Sequence, residues 1–398
     1  MTRDGAKGLL SGLSRNTVFL ALSSLFADIA TEMLYPVLPI YLTQTLKAGG
    51  GAVGLIEGVA EGTQNVVQGF AGSLSDRLRR RKSVALVGYA IAALSKPFIG
   101  LSSAWPGVLG ARFADRFGTG IRSAPRDALI AASADEAHRG KAFGLEGAGD
   151  NAGAFIGPLL AVLLLVTLGI DLRWIFYLAV IPGLLAFLMV LLVRERPVST
   201  FAKAKFEGGL GRFPRKYRAY LVATALFGIG NSSNAFLILE TKDLGASLTV
   251  TILIYAAFNL IAALASYPAG ALSDRFGRRN LVVLALAVFF TSYLGFALTH
   301  NVVAIGLLFA LYGLYQGVFR AVGKALASDL SPEALRASGV GWYGATVGLS
   351  GLVASAVAGQ LWDRVGHTAV FFFGAMTAVI GAVALLLLVR PAAGTPTT

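Results

Sequence analysis

Acidic side chains lie inside long apolar stretches in the first part of the chain. Asp28 and Glu32 are one helical turn apart in the first stretch, and Glu57 and Glu61 repeat that spacing in the second. Residues at this spacing lie on one face of a helix, so each pair predicts an acidic stripe. A charge inside a membrane costs about 2.5 to 3.5 kcal/mol on insertion scales. We therefore expect both stripes to face a protein interior, where they bind protons, substrate or opposite charges.

The composition predicts a membrane protein. Hydrophobic residues make up 56% of the chain, charged residues only 14%, and the mean hydropathy is +0.70, which leaves little polar surface to coat a soluble domain. A helix that crosses a bilayer needs about 20 mostly apolar residues. Twelve such stretches begin near residues 16, 52, 83, 107, 142, 174, 219, 248, 281, 303, 339 and 369. The predicted fold class is an all-α integral membrane protein with twelve transmembrane helices.

The positions of the basic residues predict the orientation of these helices. The net charge is +13, but the basic residues concentrate in alternate loops rather than in one patch, so we expect no nucleic-acid partner. One side of the membrane receives only Lys47, Arg173, Lys242 and Arg364. By the positive-inside rule, both termini are cytoplasmic in a multi-pass plasma (inner) membrane protein. The first apolar run continues past its two acids, which indicates an uncleaved helix rather than a signal peptide.

Two internal repeats indicate that the chain consists of two similar halves. The sequence Gly-x-Leu-Ser-Asp-Arg occurs at residues 72–77 and again at 270–275, and residues 136–144 match residues 333–341 at nearly the same offset. Residues 194–218 interrupt the apolar pattern with glycine, proline and basic residues, a composition typical of a linker. The predicted domains are a six-helix bundle at 1–193, a cytoplasmic linker at 194–218 and a second six-helix bundle at 219–398.

The repeated Gly-x-Leu-Ser-Asp-Arg motif resembles the loop between the second and third helices of each half in the major facilitator superfamily, and the resemblance covers essentially the whole chain. It implies the fold of that family, with cargo bound between the halves near the midplane and moved by alternating access. It also implies that the two motif acids pair with arginine in a cytoplasmic latch. The alternative is that these charges only set topology. The implied latch residues are Gly72, Asp76, Arg77, Arg126, Asp127, Gly270, Asp274 and Arg275.

Counting residues along the helices predicts which charges lie at similar depth. With a rise of about 1.5 Å per residue, Asp28, Glu61 and Arg116 each come out roughly 15 Å from the surface, so we expect one polar cluster near the midplane. Lys96 and Arg112 fall nearer the outer side, where Lys96 can neutralise an acid. An acid in such a cluster can carry a proton when the cavity opens to the other side. A permanently paired network that only fixes helix packing is the alternative.

The fifth helix carries a glycine and proline pattern. Gly153, Gly157 and Pro158 follow Glu146 and Asp150 and resemble the helix-bend motif of the family's drug and proton exchangers, although the trailing glycines of that motif are missing. Glycines one turn apart also allow close helix packing without any role in exchange. The predicted proton-coupling or substrate residues are Asp28, Glu32, Glu57, Glu61, Arg116, Glu146 and Asp150. The predicted polar residues of the cavity are Gln64, Asn65, Lys96, Arg112, Asn231, Asn234, Asn259 and Gln316.

These patterns predict a secondary transporter that exports a small organic compound, cationic or amphipathic, in exchange for protons. Export of a metal cation on carboxylate ligands and proton-coupled uptake remain alternatives. A membrane hydrolase is disfavoured because the sequence has no cysteine, no Gly-x-Ser-x-Gly motif and no histidine within a predicted span. A receptor without transport would leave the acidic stripes unexplained.

No phosphate-binding loop is found, so we predict no cofactor and no resident metal. The expected partners are substrate, protons and the bilayer, and the expected state is a monomer.

Overall fold

The computed structural model describes residues 13–78, 80–135, 138–195 and 209–389. These residues form twelve long helices, two of them briefly interrupted, and four short helical elements at Leu38–Ile40, Tyr41–Thr45, Leu210–Arg212 and Glu333–Leu335. The first six are α1 Arg15–Glu32, α2 Gly50–Leu78, α3 Arg81–Leu101, α4 Trp105–Ser133, α5 Arg139–Thr167 and α6, which consists of Leu172–Leu178 and Val180–Leu191. The second six are α7, which consists of Arg215–Gly228 and Ala235–Asp243, then α8 Leu248–Phe276, α9 Arg278–Leu298, α10 Val302–Asp329, α11 Arg336–Arg364 and α12 His367–Leu388.

The helices agree in number and order with the twelve predicted stretches, but most begin a few residues earlier. Arg15, Arg81, Arg139, Arg278 and Arg336 are the first residues of their helices, whereas the apolar pattern starts only after them. A basic residue at a membrane surface can keep its charge in water while its backbone is already helical. Hydropathy therefore locates the part of the helix inside the hydrocarbon and misses its charged first turn.

Eight of the described helices are long and apolar enough to cross a membrane by length and composition alone. The four that fall short are α1, α2, α4 and α7. α7 is interrupted between Gly228 and Ala235, and α4 carries six charged residues between Arg112 and Asp127. The helices that deviate from a plain hydrophobic span are thus largely those that hold the polar residues singled out above.

The first of two compact units comprises Met1–Tyr41 and Thr63–Ala204. In it α3 packs along α4, α1 packs along α5, and α6 packs on both α1 and α3. Gly88 of α3 and Gly118 of α4 face each other so closely that a Cβ on Gly88 would lie 2.6 Å from the Gly118 carbonyl oxygen. Small residues at such contacts let helix backbones approach, which is a main source of packing energy inside a membrane.

The second unit comprises Leu42–Gly62 and Lys205–Thr398, and it repeats the helix pairings of the first. α9 packs on α10, and α12 packs on both α7 and α9, as α3 packs on α4 and α6 packs on α1 and α3. This correspondence matches the repeated sequence motifs. The first half of α2 also packs within this unit. Part of the predicted linker, residues 196–208, lies outside the described residues.

The start of α2 is held by a side chain of α11. The two carboxylate oxygens of Asp363 accept hydrogen bonds from the backbone N–H groups of Gly50 and Gly51, each at 2.7 Å. These N–H groups have no partner within their own helix, and the positive end of the helix dipole favours a carboxylate there. Farther along, Gly54 and Gly58 lie directly against the α11 backbone at Ser355 and Leu352. This contact aligns Glu57 and Glu61 with α11.

Glycines of α5 bring it into backbone contact with α1. A Cβ on Gly153 would lie 2.6 Å from the Leu25 carbonyl oxygen and 2.8 Å from the Asp28 Cβ, and a Cβ on Gly157 would lie 2.8 Å from the Met33 nitrogen. Pro158 lies inside this helix, which continues to Thr167. The spacing of the glycines thus serves close packing of α5 on α1.

We predict that Gly153→Ala lowers the thermal stability of the protein. The added methyl group meets backbone atoms of α1 that cannot rotate away, and overpacking of this kind typically costs about 1 to 3 kcal/mol. Gly147→Ala is the matched control, because it lies in the same helix and nothing approaches its Cβ position within 4 Å. That variant should unfold at the wild-type temperature or slightly above it. The unfolding midpoint of each variant is measured in detergent, from the size-exclusion peak of the folded protein that remains after heating. Equal midpoints for the two variants would contradict this packing.

Candidate transport site

The first unit contains a pair of carboxyl groups that face each other across α1 and α5. Asp28 of α1 and Asp150 of α5 lie near enough for their carboxyl groups to interact electrostatically. The glycine contact described above produces this pair, because Asp150 lies one turn before Gly153, whose Cα faces Asp28. Two carboxylates have only acceptor atoms, so a hydrogen bond between them would require a proton on one of them. A carboxyl pair of this kind can share one proton between two transmembrane helices.

The guanidinium group of Arg122, on α4, interacts electrostatically with Asp28 of this pair. Its carbon atom lies 4.6 Å from the centre of the Tyr89 ring, a cation–π contact. The side chain is only 5% exposed. Among the described residues, its Nε and Nη1 have no hydrogen-bond partner. Arg122 thus has hydrogen-bond donors available near the two carboxyl groups.

The sequence predicted that another arginine, Arg116, lies near Asp28. Arg116 contacts Asp115, with Nε 3.9 Å from a carboxylate oxygen, and donates from Nη1 to the Gln64 side-chain oxygen at 3.2 Å. Counting depth along α4 did not give this arrangement, because it ignores the direction in which each side chain faces around the helix, and Arg122 lies about 9 Å farther along α4 than Arg116. Within the first unit, Arg122 is the arginine that acts on Asp28, and the expected cluster of Asp28, Glu61 and Arg116 stays a prediction.

A second charged group lies between α3 and α4 around Asp115. The Asp115 carboxylate is completely buried, with one oxygen 2.5 Å from Lys96 Nζ and the other 3.1 Å from Arg112 Nη1. Lys96 is 2% exposed and Arg112 is completely buried. Lys96 therefore neutralises an acid as predicted, but the acid was not among the predicted site residues. The sequence feature that indicates this ion pair is the spacing of Arg112 and Asp115, which lie about one turn apart on the same helix.

A third ionic contact joins α1, α4 and α5. Arg126 Nη1 lies 2.9 Å from a carboxylate oxygen of Glu146 and donates to the Ser24 hydroxyl at 2.8 Å, and this hydroxyl donates to the same carboxylate. Arg126 also binds its neighbour Asp127 at 2.9 Å. Ser24 was not predicted as a site residue. The observed contacts assign Arg126 to Glu146 and Ser24, whereas its predicted latch role stays a prediction.

The acids of α2 lie in the second unit. Glu57 is 2% exposed and sits one residue before Gly58, which packs on α11. Glu61 is half-buried, and one of its carboxylate oxygens lies 3.3 Å from where a Cβ on Gly351 of α11 would stand. The acids predicted on α2 therefore face a helix rather than lipid. Two other predicted site residues, Glu32 and Asn65, are half-buried in the first unit.

The break in α7 places two predicted amides against aromatic rings of the second unit. Asn231 donates to the Tyr315 hydroxyl at 3.2 Å, and the Tyr312 hydroxyl donates to Asn234 at 2.9 Å. Tyr312 and Tyr315 lie within a continuous group of aromatic side chains from α7, α9 and α10. Asn259 and Gln316 are half-buried on α8 and α10. Tyr312 and Tyr315 are each 1% exposed, so these rings and the two amides pack the interior of the second unit.

The second copy of the repeated motif forms an ion-pair network with a partner that the sequence did not identify. Arg278, at the start of α9, lies 3.6 Å from Asp274 and 2.9 Å from Asp329 of α10. Arg275, which was expected beside Asp274, is exposed, and Gly270 is half-buried. In the first copy, the side chains of Gly72, Asp76 and Arg77 lie outside the described part of the chain. The latch role of both copies stays a prediction.

The described residues contain no group of three or more His, Cys, Asp or Glu side chains arranged to hold a metal ion. In each of the three charged groups of the first unit, an arginine or a lysine lies near the acid. Ion pairing and proton sharing are what these clusters can do chemically.

Comparison with known proteins identifies the family. The family model of the Major Facilitator Superfamily matches residues 20–239 and 219–398. The chain is 34% identical over 384 residues to an uncharacterized MFS-type transporter of Methanocaldococcus jannaschii, with 94% of this chain and 95% of that protein covered. It is 26% identical to a multi-drug resistance efflux pump PmrA homolog of Lactococcus lactis, over 80% of this chain and 81% of the relative.

A likeness to solved structures supports the same assignment. The crystal structure of the nucleoside transporter NupG superposes with a TM-score of 0.79 at 15% identity, covering 95% of this chain and all of that one. At this identity the likeness shows the fold. With the repeated halves and the matching helix pairings, it confirms the predicted twelve-helix membrane fold. The chain belongs to the Major Facilitator Superfamily and is a multi-pass membrane transporter rather than an enzyme.

Proposed function

We propose that this transporter exports a small organic compound, cationic or amphipathic, in exchange for protons. The observation that carries the proposal is the carboxyl pair of Asp28 and Asp150 with Arg122 beside it. A proton held between two acids can be given up when the site opens to the less acidic side, because water and solutes then reach the carboxyls. The negative charge that remains attracts a cation, so proton and cargo compete for one site.

Arg122 can interact differently with the protonated and the unprotonated carboxyl pair. While the pair holds its proton, the guanidinium rests on the Tyr89 ring and its Nε and Nη1 make no hydrogen bond within the described residues. When the proton leaves, these donors can bind the carboxylate, and charge-assisted hydrogen bonds are about twice as strong as neutral ones. Arg122 thereby stabilises the unprotonated pair until cargo or a new proton displaces it.

A comparison with a relative bears on the cargo and on the direction of transport. The similarity to a multi-drug efflux pump homolog favours export as the direction. Proton coupling from a carboxyl pair is equally compatible with uptake, so the direction needs its own test.

The test uses inside-out membrane vesicles with an acidic lumen and a luminal pH dye. Organic cations, neutral drugs and divalent metals are added in turn, and empty-vector vesicles serve as the control. We expect organic cations to raise luminal pH in a saturable manner, because each molecule that enters expels protons. Metal ions should not do so. If no organic compound releases protons, while right-side-out vesicles accumulate one of them under an inward proton gradient, the protein is an uptake symporter and the proposal fails.

A further inference from the structure

A cavity of about 700 Å³ lies at one end of the first unit, away from the charged groups described above. It is lined by the start of α1, the start of α3 and the end of α6, with Arg15, Asn16, Lys82 and residues 191–195 as its walls. Along α1 it lies about 20 Å from Asp28, at a rise of 1.5 Å per residue. The predicted topology assigns this end of the helices to the cytoplasmic membrane surface. The cavity therefore belongs to a different site.

Three cations and one acid line this cavity. The cations are Arg15, Lys82 and Arg194. The acid, Glu195, is engaged elsewhere, since one of its oxygens accepts hydrogen bonds from the backbone N–H groups of Arg81 and Lys82 at 2.8 and 3.3 Å. Its charge thus caps the start of α3. The remaining excess of positive charge suits an anion.

Hydrogen bonds to backbone atoms connect the helix ends around the cavity. Asn16 and Arg194 form a reciprocal pair, in which the Asn16 side chain donates to the Arg194 carbonyl at 2.7 Å and accepts from its N–H at 3.0 Å. Lys82 Nζ donates to the Leu191 carbonyl at 2.8 Å. The Arg194 side chain, in contrast, is exposed. The end of α6 is therefore fixed to α1 and α3, and charged groups remain available at its rim.

The lining also includes apolar side chains at the end of a membrane-spanning helix. Leu191 and Leu192 are 47% and 49% exposed, and exposed leucines on such a helix contact acyl chains. Cations beside lipid-facing leucines form an amphipathic site, which a phosphate group attached to acyl chains fills better than a free phosphate ion. We propose that this cavity binds the headgroup of an anionic phospholipid, with its phosphate at Arg15, Lys82 and Arg194 and its chains along Leu191 and Leu192.

Binding there should stabilise the folded protein, because a ligand that joins α1, α3 and α6 binds the native state and not the unfolded chain. The test compares delipidated protein in detergent with added phosphatidylglycerol, phosphatidylcholine or inorganic phosphate. Thermal unfolding gives the stabilisation, and native mass spectrometry gives the number of bound lipids. We expect phosphatidylglycerol to raise the melting temperature with about one tightly held lipid, and the other two additives to have little effect.

The decisive variant removes the three cations together, as Arg15→Gln, Lys82→Gln and Arg194→Gln. The matched control is Arg215→Gln, Lys216→Gln and Arg218→Gln, which removes three exposed cations at the start of α7. We expect the first variant to bind phosphatidylglycerol at least about tenfold more weakly and the control to bind like wild type. Should the triple variant fail to fold, Arg194→Gln alone, which keeps both backbone contacts to Asn16, should still weaken binding severalfold.

Three results would overturn the lipid site. The triple variant could bind phosphatidylglycerol as wild type does, or the control could lose the same affinity, which would show a general charge effect. Inorganic phosphate could match phosphatidylglycerol, which would make the ligand a soluble anion. None of these results depends on proton coupling, so the lipid site can fail while the proposed function stands.

Discussion

Replacing Asp28 by asparagine is expected to abolish proton-driven transport without loss of the folded protein. An amide cannot take up and release a proton in the physiological range, so the Asp28–Asp150 pair loses its exchangeable proton. The structure is expected to survive, because the amide introduced at position 28 can donate a hydrogen bond to Asp150 in place of the shared proton. Flux driven by an imposed pH gradient should fall to the level of empty vesicles.

Cargo movement without a gradient separates coupling from folding in this variant. With cargo on both sides, the Asp28→Asn protein should still exchange labelled for unlabelled molecules, since that exchange requires only alternating access. Asp150→Asn should behave in the same way. Asp171→Asn is the matched control: Asp171 is exposed and caps the Leu172–Leu178 helix by accepting from Arg173, and asparagine caps a helix equally well. Normal gradient-driven flux in Asp28→Asn would refute the coupling role of the pair.

Replacing Asp115 by asparagine is expected to have the largest effect on stability. Asp115 is the buried partner of Lys96, Arg112 and Arg116, and the substitution leaves these cations without that carboxylate. Breaking a buried ion pair by removing one partner costs about 3 to 5 kcal/mol, which is a large part of the stability of a typical domain. The folded yield and the thermal midpoint in detergent should both fall strongly, with α3 and α4 the first helices to separate.

A charge-balanced double variant distinguishes this explanation from a simple loss of packing. Lys96→Met with Asp115→Asn removes one cation along with the acid and keeps an apolar side chain of similar length at position 96. Part of the lost stability should return, since the net buried charge is then restored. Asp171→Asn again serves as the control and should unfold like wild type. If Asp115→Asn unfolded at the wild-type midpoint, Asp115 would not be the centre of this charged group.

Hydrophobic stretches and the repeated motif predicted the number of helices, their order and the family, because the length of a membrane-spanning helix is set by the thickness of the bilayer. They also indicated that Gly153 and Gly157 allow a close helix contact. The helix against which these glycines pack, α1, could not be read from one sequence. That partner is what brings Asp150 to Asp28, so the carboxyl pair became visible only when the helices were placed together.

From the sequence, the charged residues of α4 could be placed only by their depth and their sign. Arg116 was expected near Asp28, and neither Arg122 nor Asp115 was among the predicted site residues. Rotation around the helix decides these assignments, since Asp115 and Arg112 face Lys96 of α3 whereas Arg122 faces Tyr89 and Asp28. An acid that lies between arginines in a membrane helix is a signal of pairing that sequence analysis can use.

Proton release on cargo binding tests the central claim most directly. Purified protein in weakly buffered detergent is mixed with an organic cation that it binds, and a pH dye records the protons released while binding is measured in parallel. We predict that the wild-type protein releases protons as the cation binds, because cargo displaces the proton of the Asp28–Asp150 pair, and that Asp28→Asn binds the cation without release. Equal release by both proteins, or tight binding by wild type with no release, would contradict the account.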